Sequence, residues 1–285
     1  MKSLSAKDRR ERLKRAPEIA PKTLATLAKQ HPTAHCELDH RSAFELIVAV
    51  VLSAQTTDVA VNKVTPKLYE RFPDARALAA VEPKEVEPYV ASLGFFRMKS
   101  KALVGLARAI VDKHGGEVPR SMDELVELPG VGRKTANVVL GVMWNEPDGV
   151  VVDTHVMRIS QRLGWTKNTD AEKIERDLCA ILPREEWDHA SHVLIFHGRR
   201  VCFARKPNCE GCSVSDVCPA AFDAEHVGRK AAANGDGRRK AAANGDGRRK
   251  AANGAKAGAL RKAAGPRAAK AGSHAKKRSP RATRG

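Results

Sequence analysis

A lysine and its charged neighbour begin a helix in the middle of the chain, in a place where an amine could act as a nucleophile. Lys134 lies in the first turn of the helix predicted over residues 133–144, directly after Arg133. The positive end of the helix dipole and the adjacent cation both favour the neutral amine, which is the form that attacks carbon. From spacing alone, however, a lysine that binds phosphate is the favoured interpretation.

Asp153 begins another predicted helix, after the apolar residues 150–152. Aspartate is a good N-cap residue, so a purely structural role is one interpretation. The functional interpretation is a carboxylate that faces the same cleft as Lys134, where it would stabilise an oxocarbenium-like sugar or help to activate the amine. The two roles are compatible, because the amides that an aspartate caps also keep it ionised.

The segment before Lys134 predicts a tight turn between a short helix and a long one. Gly130 and Gly132, one residue apart in LPGVGRKTA, let the backbone turn sharply and approach a ligand. Amides of the turn and of the next helix would form an anion site, to which Arg133 adds charge. Two glycines alone are equally typical of a plain turn, whereas the longer string is typical of a helix-hairpin-helix that binds the DNA backbone without base specificity.

Four of the six cysteines lie within 17 residues, at Cys202, Cys209, Cys212 and Cys218. The N-terminal residues carry no apolar signal segment, so we expect a reducing, intracellular compartment in which such a group binds metal. No histidine lies among the four, and their spacing leaves zinc and an iron–sulfur cluster both open. A pair of disulfides is the weakest interpretation.

Two cations, Arg205 and Lys206, lie between the first two of these cysteines. A loop held by metal would present them to phosphate with little loss of entropy, so we expect a DNA contact. The alternative is a solvated charged surface. Cys36 and Cys179 stand alone and are expected to be ordinary buried thiols.

The net charge of +18 is concentrated in one segment. Residues 228–285 hold 18 basic and 2 acidic residues, whereas residues 1–227 are nearly balanced at +2. The unit AAANGDGRRK occurs twice in that segment, which contains one large apolar residue. Such a composition predicts disorder and non-specific contact with DNA phosphates. A solubilising extension without a DNA role is the alternative.

Apolar residues recur at helical spacing through the rest of the chain, which predicts an all-α fold. Residues 42–54 are apolar on nearly every face, as expected of a central buried helix. Pro66 should break or kink the helix predicted over residues 58–72. No stretch approaches the roughly 20 apolar residues that a membrane span needs, so no membrane contact is expected.

Several strings together resemble the endonuclease III family of DNA glycosylase/AP lyases, over about residues 20–220. They are LPGVGRKTANVVL at 128–140, VDTH at 152–155, LSAQTTD at 52–58, GFFRMKSKA at 94–102 and the C-x6-C-x2-C-x5-C group. The resemblance implies a two-lobed helix-hairpin-helix glycosylase fold with a [4Fe–4S] cluster. It implies a cluster lobe of 21–38 and 149–222 and a six-helix barrel lobe over 39–148. From charge and composition we expect a loose or frayed, flexible N-terminus over 1–20 and a disordered basic tail over 223–285.

The same resemblance implies a role for each matched side chain. Lys134 would attack the C1′ carbon of a flipped nucleotide, with Asp153 as the catalytic carboxylate, and a Schiff base and β-elimination would follow. Implied substrates are duplex DNA with oxidised or ring-reduced pyrimidines, and abasic sites. Gln55 would fill the gap left by the flipped base. Phe95 stands where the family often has a leucine wedge, or is a core aromatic; Lys99 and His155 match positions near DNA.

Two other functions are compatible with parts of this pattern. An adenine-mismatch glycosylase would share the fold and the cluster, but it calls for a catalytic glutamate in place of LSAQTTD, no lysine at 134 and a second folded C-terminal domain. A non-enzymatic iron–sulfur protein that binds DNA or senses redox state would leave Lys134 without chemistry. For the endonuclease III interpretation we expect a monomer in the cytoplasm, associated with the nucleoid.

Overall fold

The structure is a computed structural model that describes residues 4–227, and within that range every regular element is helical. This confirms the predicted all-α class. The α-helices are α1 (Ala6–Gln30), α2 (Ala43–Leu52), α3 (Asp58–Arg71), α4 (Ala75–Ala79), α5 (Pro83–Val90), α6 (Phe96–His114), α7 (Met122–Val126), α8 (Arg133–Trp144), α9 (Thr154–Arg162), α10 (Ala171–Ile181) and α11 (Trp187–Arg200). Short 3-10 helices cover Arg184–Glu186 and Ala224–His226.

One hydrophobic core is built by α2 to α8, between Leu38 and Leu140. The central element is α2, in which eight of ten residues are buried, as its nearly continuous apolar sequence predicts. Ser42 caps this helix by accepting a hydrogen bond from the Glu45 amide. Around α2 pack α3, α6 and α8, and the lobe ends with α8, which carries Lys134.

A second core joins α1 to helices that come much later in the chain, α9, α10 and α11. Leu24 and Leu27 of α1 are buried there with Ile159 of α9 and Leu194 of α11. The four cysteines of the 202–218 loop belong to this lobe. Two separate cores, one of them discontinuous in sequence, confirm the two-lobed fold. None of the helices in residues 4–227 is long and apolar enough to cross a membrane.

The structure corrects the expectation of a flexible N-terminus over residues 1–20, because α1 begins at Ala6. The Ser5 hydroxyl accepts a hydrogen bond from the Asp8 amide and caps the helix. Arg12 donates to the carbonyl oxygens of Ser215 and Cys218, each at 3.0 Å. These contacts and the burial of Ala16 and Ala20 along the same side of the helix explain why a charged sequence is helical here.

The folded part also extends past residue 223, where the tail was expected to start. Ala224 is buried in the folded part, and Arg162 donates to the Val227 carbonyl oxygen at 2.9 Å. The basic repeats at 228–285 lie outside the described residues, so their predicted disorder is not tested. Pro66 does not break α3, which continues to Arg71 because Val64 and Leu68 hold the helix against the core.

Candidate active site and cluster site

An open cavity lies between the two lobes and has Lys134 and Asp153 in its wall. The two residues come from different lobes, one from α8 and the other from the start of α9. The expectation that they share a cleft therefore agrees with the geometry. The cavity is also lined by Cys36, Glu37, Asp58, His192 and Arg199.

Lys134 is exposed in the first turn of α8, and the turn before it explains that exposure. Gly130 has φ 81°, a backbone conformation that disfavours any residue with a Cβ. Gly132, the N-cap of α8, has φ −97° and open space where a Cβ would be. Gly130 is thus required by the turn, whereas Gly132 leaves the first amides of α8 accessible to an anion.

Arg133 is engaged by carboxylates rather than free. Its guanidinium contacts Glu175 at 2.8 Å and Asp148 at 2.9 Å. The hydrogen bond to Glu175 is the main reason why the pKa of Arg133 is raised. Arg133 therefore connects α8 to α10 through Glu175. The predicted contact with a phosphate would have to use the same guanidinium group.

Asp153 is the N-cap of α9, as predicted. Its Oδ1 accepts hydrogen bonds from the amides of His155 at 2.7 Å and Val156 at 2.8 Å. Within residues 4–227, Oδ2 has no hydrogen-bond partner. The carboxylate is therefore fixed through one oxygen, while the other is available to the cavity.

Asn137, which the sequence reasoning missed, holds the connection between the lobes. It is 2% exposed and lies one turn after Lys134 in α8. Its side chain donates to the Gly149 carbonyl oxygen at 2.6 Å and accepts from the Asp148 amide at 2.8 Å. A polar residue inside the otherwise apolar string ANVVL is the signal that could have identified it.

A second connection that the sequence gave no signal for runs along the edge of the cavity. Arg199 of α11 donates to Asp58 at the start of α3 at 2.9 Å and also bonds Glu37. Arg200 adds a contact to Glu37 at 3.3 Å. These ion pairs join residues that are more than 140 positions apart, so local patterns could not reveal them.

Gln55 and Phe95 occupy two exposed loops and have positive φ angles of 55° and 58°. Left-handed backbone is unfavourable for such residues and is common at functional sites. Phe95 is 67% exposed, so the alternative of a core aromatic is wrong. Both side chains are available to a partner.

Lys99 is not at the surface where a contact with DNA was expected. It is 6% exposed, and its ammonium donates to the Thr56 hydroxyl. Burial lowers the pKa of Lys99. The structure therefore revises its role: it supports the 52–58 loop that carries Gln55.

His155 is half-buried at the start of α9, and Arg158 lies 3.2 Å from its Nδ1. Burial is the main reason why the pKa of His155 is lowered. Arg205 and Lys206, in contrast, are exposed on the cysteine loop. Their contact with phosphate stays a prediction.

The four cysteines Cys202, Cys209, Cys212 and Cys218 line one cavity. All four are free thiols, so the disulfide alternative is wrong. Within residues 4–227, no group of three or more Cys, His, Asp or Glu is placed to hold a single metal ion. The four thiols line the same space, as the ligands of an iron–sulfur cluster must.

The surroundings of the thiols suit such a cluster. Burial raises the pKa of the Cys212 thiol to about 11, so a metal has to replace its proton. Arg162 donates to the sulfur of Cys202 at 3.2 Å, and His197 Nε2 lies 3.6 Å from the sulfur of Cys212. An N–H that donates to sulfur, as that of Arg162 does, favours a bound thiolate, so the residues present fit an iron–sulfur group.

Comparisons with known proteins agree with this geometry. Residues 48–184 match the HhH-GPD superfamily base excision DNA repair protein, and residues 202–218 match the iron–sulfur binding domain of endonuclease III. Endonuclease III of Synechocystis is 52% identical over 202 residues, which cover 71% of this chain and 92% of that protein. Endonuclease III of Escherichia coli is 40% identical over 195 residues, covering 68% and 92%.

A solved structure of a trapped endonuclease III–DNA covalent intermediate is 43% identical to this chain. It superposes with a TM-score of 0.68 and covers 74% of this chain and 97% of its own. Fold, site and matches define a helix-hairpin-helix base excision repair enzyme. The chain belongs to the endonuclease III family, whose members are DNA glycosylase/AP lyases, and its cofactor is a [4Fe–4S] cluster rather than zinc.

Proposed function

We propose that this enzyme removes oxidised or ring-reduced pyrimidines from duplex DNA through a Schiff base on Lys134 and then cleaves the abasic site by β-elimination. The observation that carries the proposal is the shared cavity: an exposed amine from one lobe and a fixed carboxylate from the other line the same space. A nucleotide turned out of the helix would bring its sugar between them.

The first step is substitution at the sugar. The Lys134 nitrogen forms a bond to C1′, and the glycosidic bond breaks with its electron pair leaving on the base, which takes up a proton. Positive charge develops on the sugar ring as the base leaves. Asp153 stabilises that charge, because two backbone amides hold its carboxylate ionised and in place.

The second step cuts the strand. Opening of the sugar ring gives a C1′=N Schiff base with Lys134, which makes the C2′ hydrogens acidic. Loss of a C2′ proton then breaks the C3′–O bond, and the leaving group is the downstream strand, which carries the phosphate on its 5′ end. Hydrolysis by water returns the Lys134 amine and leaves an unsaturated aldehyde on the DNA end.

DNA would be bound by several parts of the chain. The accessible amides at Gly132 suit a backbone phosphate, and Gln55 and Phe95 are exposed to enter the duplex. When bound, the cluster cross-links the 202–218 loop, which presents Arg205 and Lys206. We expect the enzyme to work as a monomer on nucleoid DNA.

Borohydride trapping tests the proposal. Wild-type protein mixed with an abasic duplex and borohydride should give a covalent protein–DNA adduct. Lys134→Ala should give none, whereas Lys67→Ala, which removes an exposed lysine of α3, should trap as wild type does. A folded Lys134→Ala protein that still traps DNA would show that another amine is the nucleophile.

The ranking of lesions needs the same assay on duplexes that each carry one damaged base. Oxidised and ring-reduced pyrimidines should be trapped faster than an adenine opposite a damaged guanine. Faster release of adenine from the mismatch than of the damaged pyrimidines would favour the alternative function instead, since that function needs no Schiff base. No contact of the described residues favours that alternative.

A further inference from the structure

Two buried histidines form a chain of contacts that ends on one of the cluster cysteines. His31, at the C-terminal end of α1, is 5% exposed, and His197 in α11 is 2% exposed. Nε2 of His31 lies 3.0 Å from Nδ1 of His197, and the two rings meet edge to face. Nε2 of His197 lies 3.6 Å from the sulfur of Cys212.

The chemistry of a cysteine that binds metal determines which ring nitrogens of His197 and His31 carry hydrogen. A cysteine that binds metal has lost its proton, so the Cys212 sulfur accepts hydrogen bonds and has none to donate. If His197 Nε2 carried a lone pair, it would face the thiolate with repulsion. His197 therefore carries its hydrogen on Nε2 when the cluster is present.

The position of the hydrogen on His197 also determines which nitrogen of His31 carries one. A neutral imidazole with its hydrogen on Nε2 accepts on Nδ1, so Nε2 of His31 has to be the donor across the 3.0 Å contact. Both rings are neutral in this arrangement.

We propose that His197 is a positioning residue for the cluster, donating an N–H···S hydrogen bond to the Cys212 thiolate, and that His31 fixes the tautomer which makes this possible. The proposal concerns the cofactor and does not depend on Lys134 chemistry. A hydrogen bond to a thiolate withdraws electron density from the cluster, which stabilises its reduced form and raises its reduction potential. It also holds Cys212 in place as a ligand.

The test compares holoenzymes that differ at His197. His197→Phe keeps a ring and removes both nitrogens, so the cluster's reduction potential should fall below that of wild type. His197→Gln places an amide N–H near the position of Nε2, and its potential should lie closer to wild type. Resonance Raman spectra in D₂O should show a deuterium shift of the iron–thiolate bands in wild type and a loss of that component in His197→Phe.

Variants at His31 test the second half of the proposal without touching a ligand. His31→Phe should lower the potential in the same direction by a smaller amount, because the tautomer of His197 is no longer fixed. His31→Gln retains a donor near Nε2, so its reduction potential should be closer to that of wild type. His189→Phe, at an exposed histidine of the same helix α11, is the matched control and should leave potential and spectrum unchanged.

Release of iron to a chelator gives a readout that needs no redox measurement. His197→Phe should lose iron several-fold faster than the His189→Phe control. An unchanged potential and an unchanged deuterium shift in His197→Phe would overturn the proposal, as would equal potentials for the Phe and Gln variants at His197. If His197→Phe does not retain a cluster, the variants His31→Phe and His31→Gln provide the test. Equal reduction potentials for His31→Phe and wild type would then overturn the proposal.

Discussion

At the scale of single residues, Asp153 joins a structural and a chemical role in one carboxylate. Oδ1 is occupied by the two amides that it caps, and the residue lies in the wall of the cavity that also contains Lys134. Asparagine can reproduce the cap, because its amide oxygen accepts the same hydrogen bonds. It cannot reproduce the charge, so the two roles can be separated by one substitution.

Asp153→Asn should therefore leave the free energy of unfolding within about 0.5 kcal/mol of wild type, while Asp153→Ala should lose about 1 kcal/mol with the cap. Single-turnover base release should fall at least about tenfold in both variants, because the developing charge on the sugar is no longer stabilised. Urea unfolding and quenched kinetics measure the two effects. Wild-type turnover in Asp153→Asn would contradict the catalytic role.

His155 predicts a pH effect on stability. Burial lowers its pKa in the folded state, so below the ordinary value of about 6.5 the unfolded chain binds the proton more readily. The contribution of His155 is thus fully present above that value and is lost as the pH falls below it. The decrease in unfolding free energy between pH 7 and pH 5 should be smaller in His155→Gln than in wild type, and equal decreases would refute this.

At the scale of elements, the connection from α8 to α9 determines whether the amine and the carboxylate meet. Asn137 ties α8 to the backbone at Asp148 and Gly149, and Ser191 of α11 accepts from the Val151 amide at 2.9 Å. These bonds fix the segment that leads to Asp153. Lys134 and Asp153 are thus positioned by neighbours that are not themselves reactive.

Asn137→Ala should cost about 1–3 kcal/mol, since it leaves the buried Gly149 carbonyl and the partly buried Asp148 amide without partners. It should also slow trapping, because the segment before Asp153 loses its anchor. Tyr69→Phe is the matched control: it removes a buried hydrogen bond of 2.7 Å to the Glu45 carbonyl oxygen, far along the chain from the connection. Equal trapping rates in both variants at matched stability would show that Asn137 acts on stability alone.

At the scale of the whole molecule, local sequence patterns predict the features that depend on interactions between residues close together in the sequence. The apolar string of α2, the cap at Asp153 and the turn at Gly130 follow from periodicity, capping and backbone geometry. The helix from Ala6, the burial of Lys99 and the pairing of Arg133 with Glu175 depend on residues distant in sequence. Those features could not be predicted, because a charged residue has the same local pattern whether it faces solvent or a partner.

The basic segment beyond Val227 affects the whole molecule's affinity for DNA. If it contacts about five phosphates, deleting it should make the slope of log K, where K is the DNA-binding constant, against log salt concentration less steep by about 4–5. Fluorescence anisotropy with an undamaged duplex at several salt concentrations measures this slope. Equal slopes for the full chain and for residues 1–227 would assign the segment a role other than binding phosphate.

The central claim is that Lys134 forms the covalent bond to DNA. The most direct measurement is mass spectrometry of the borohydride-reduced adduct after digestion of both the protein and the DNA. We expect the sugar-derived mass on the peptide that contains Lys134, with fragment ions locating it on that side chain. The added mass on another lysine or on the N-terminal amine would contradict the account.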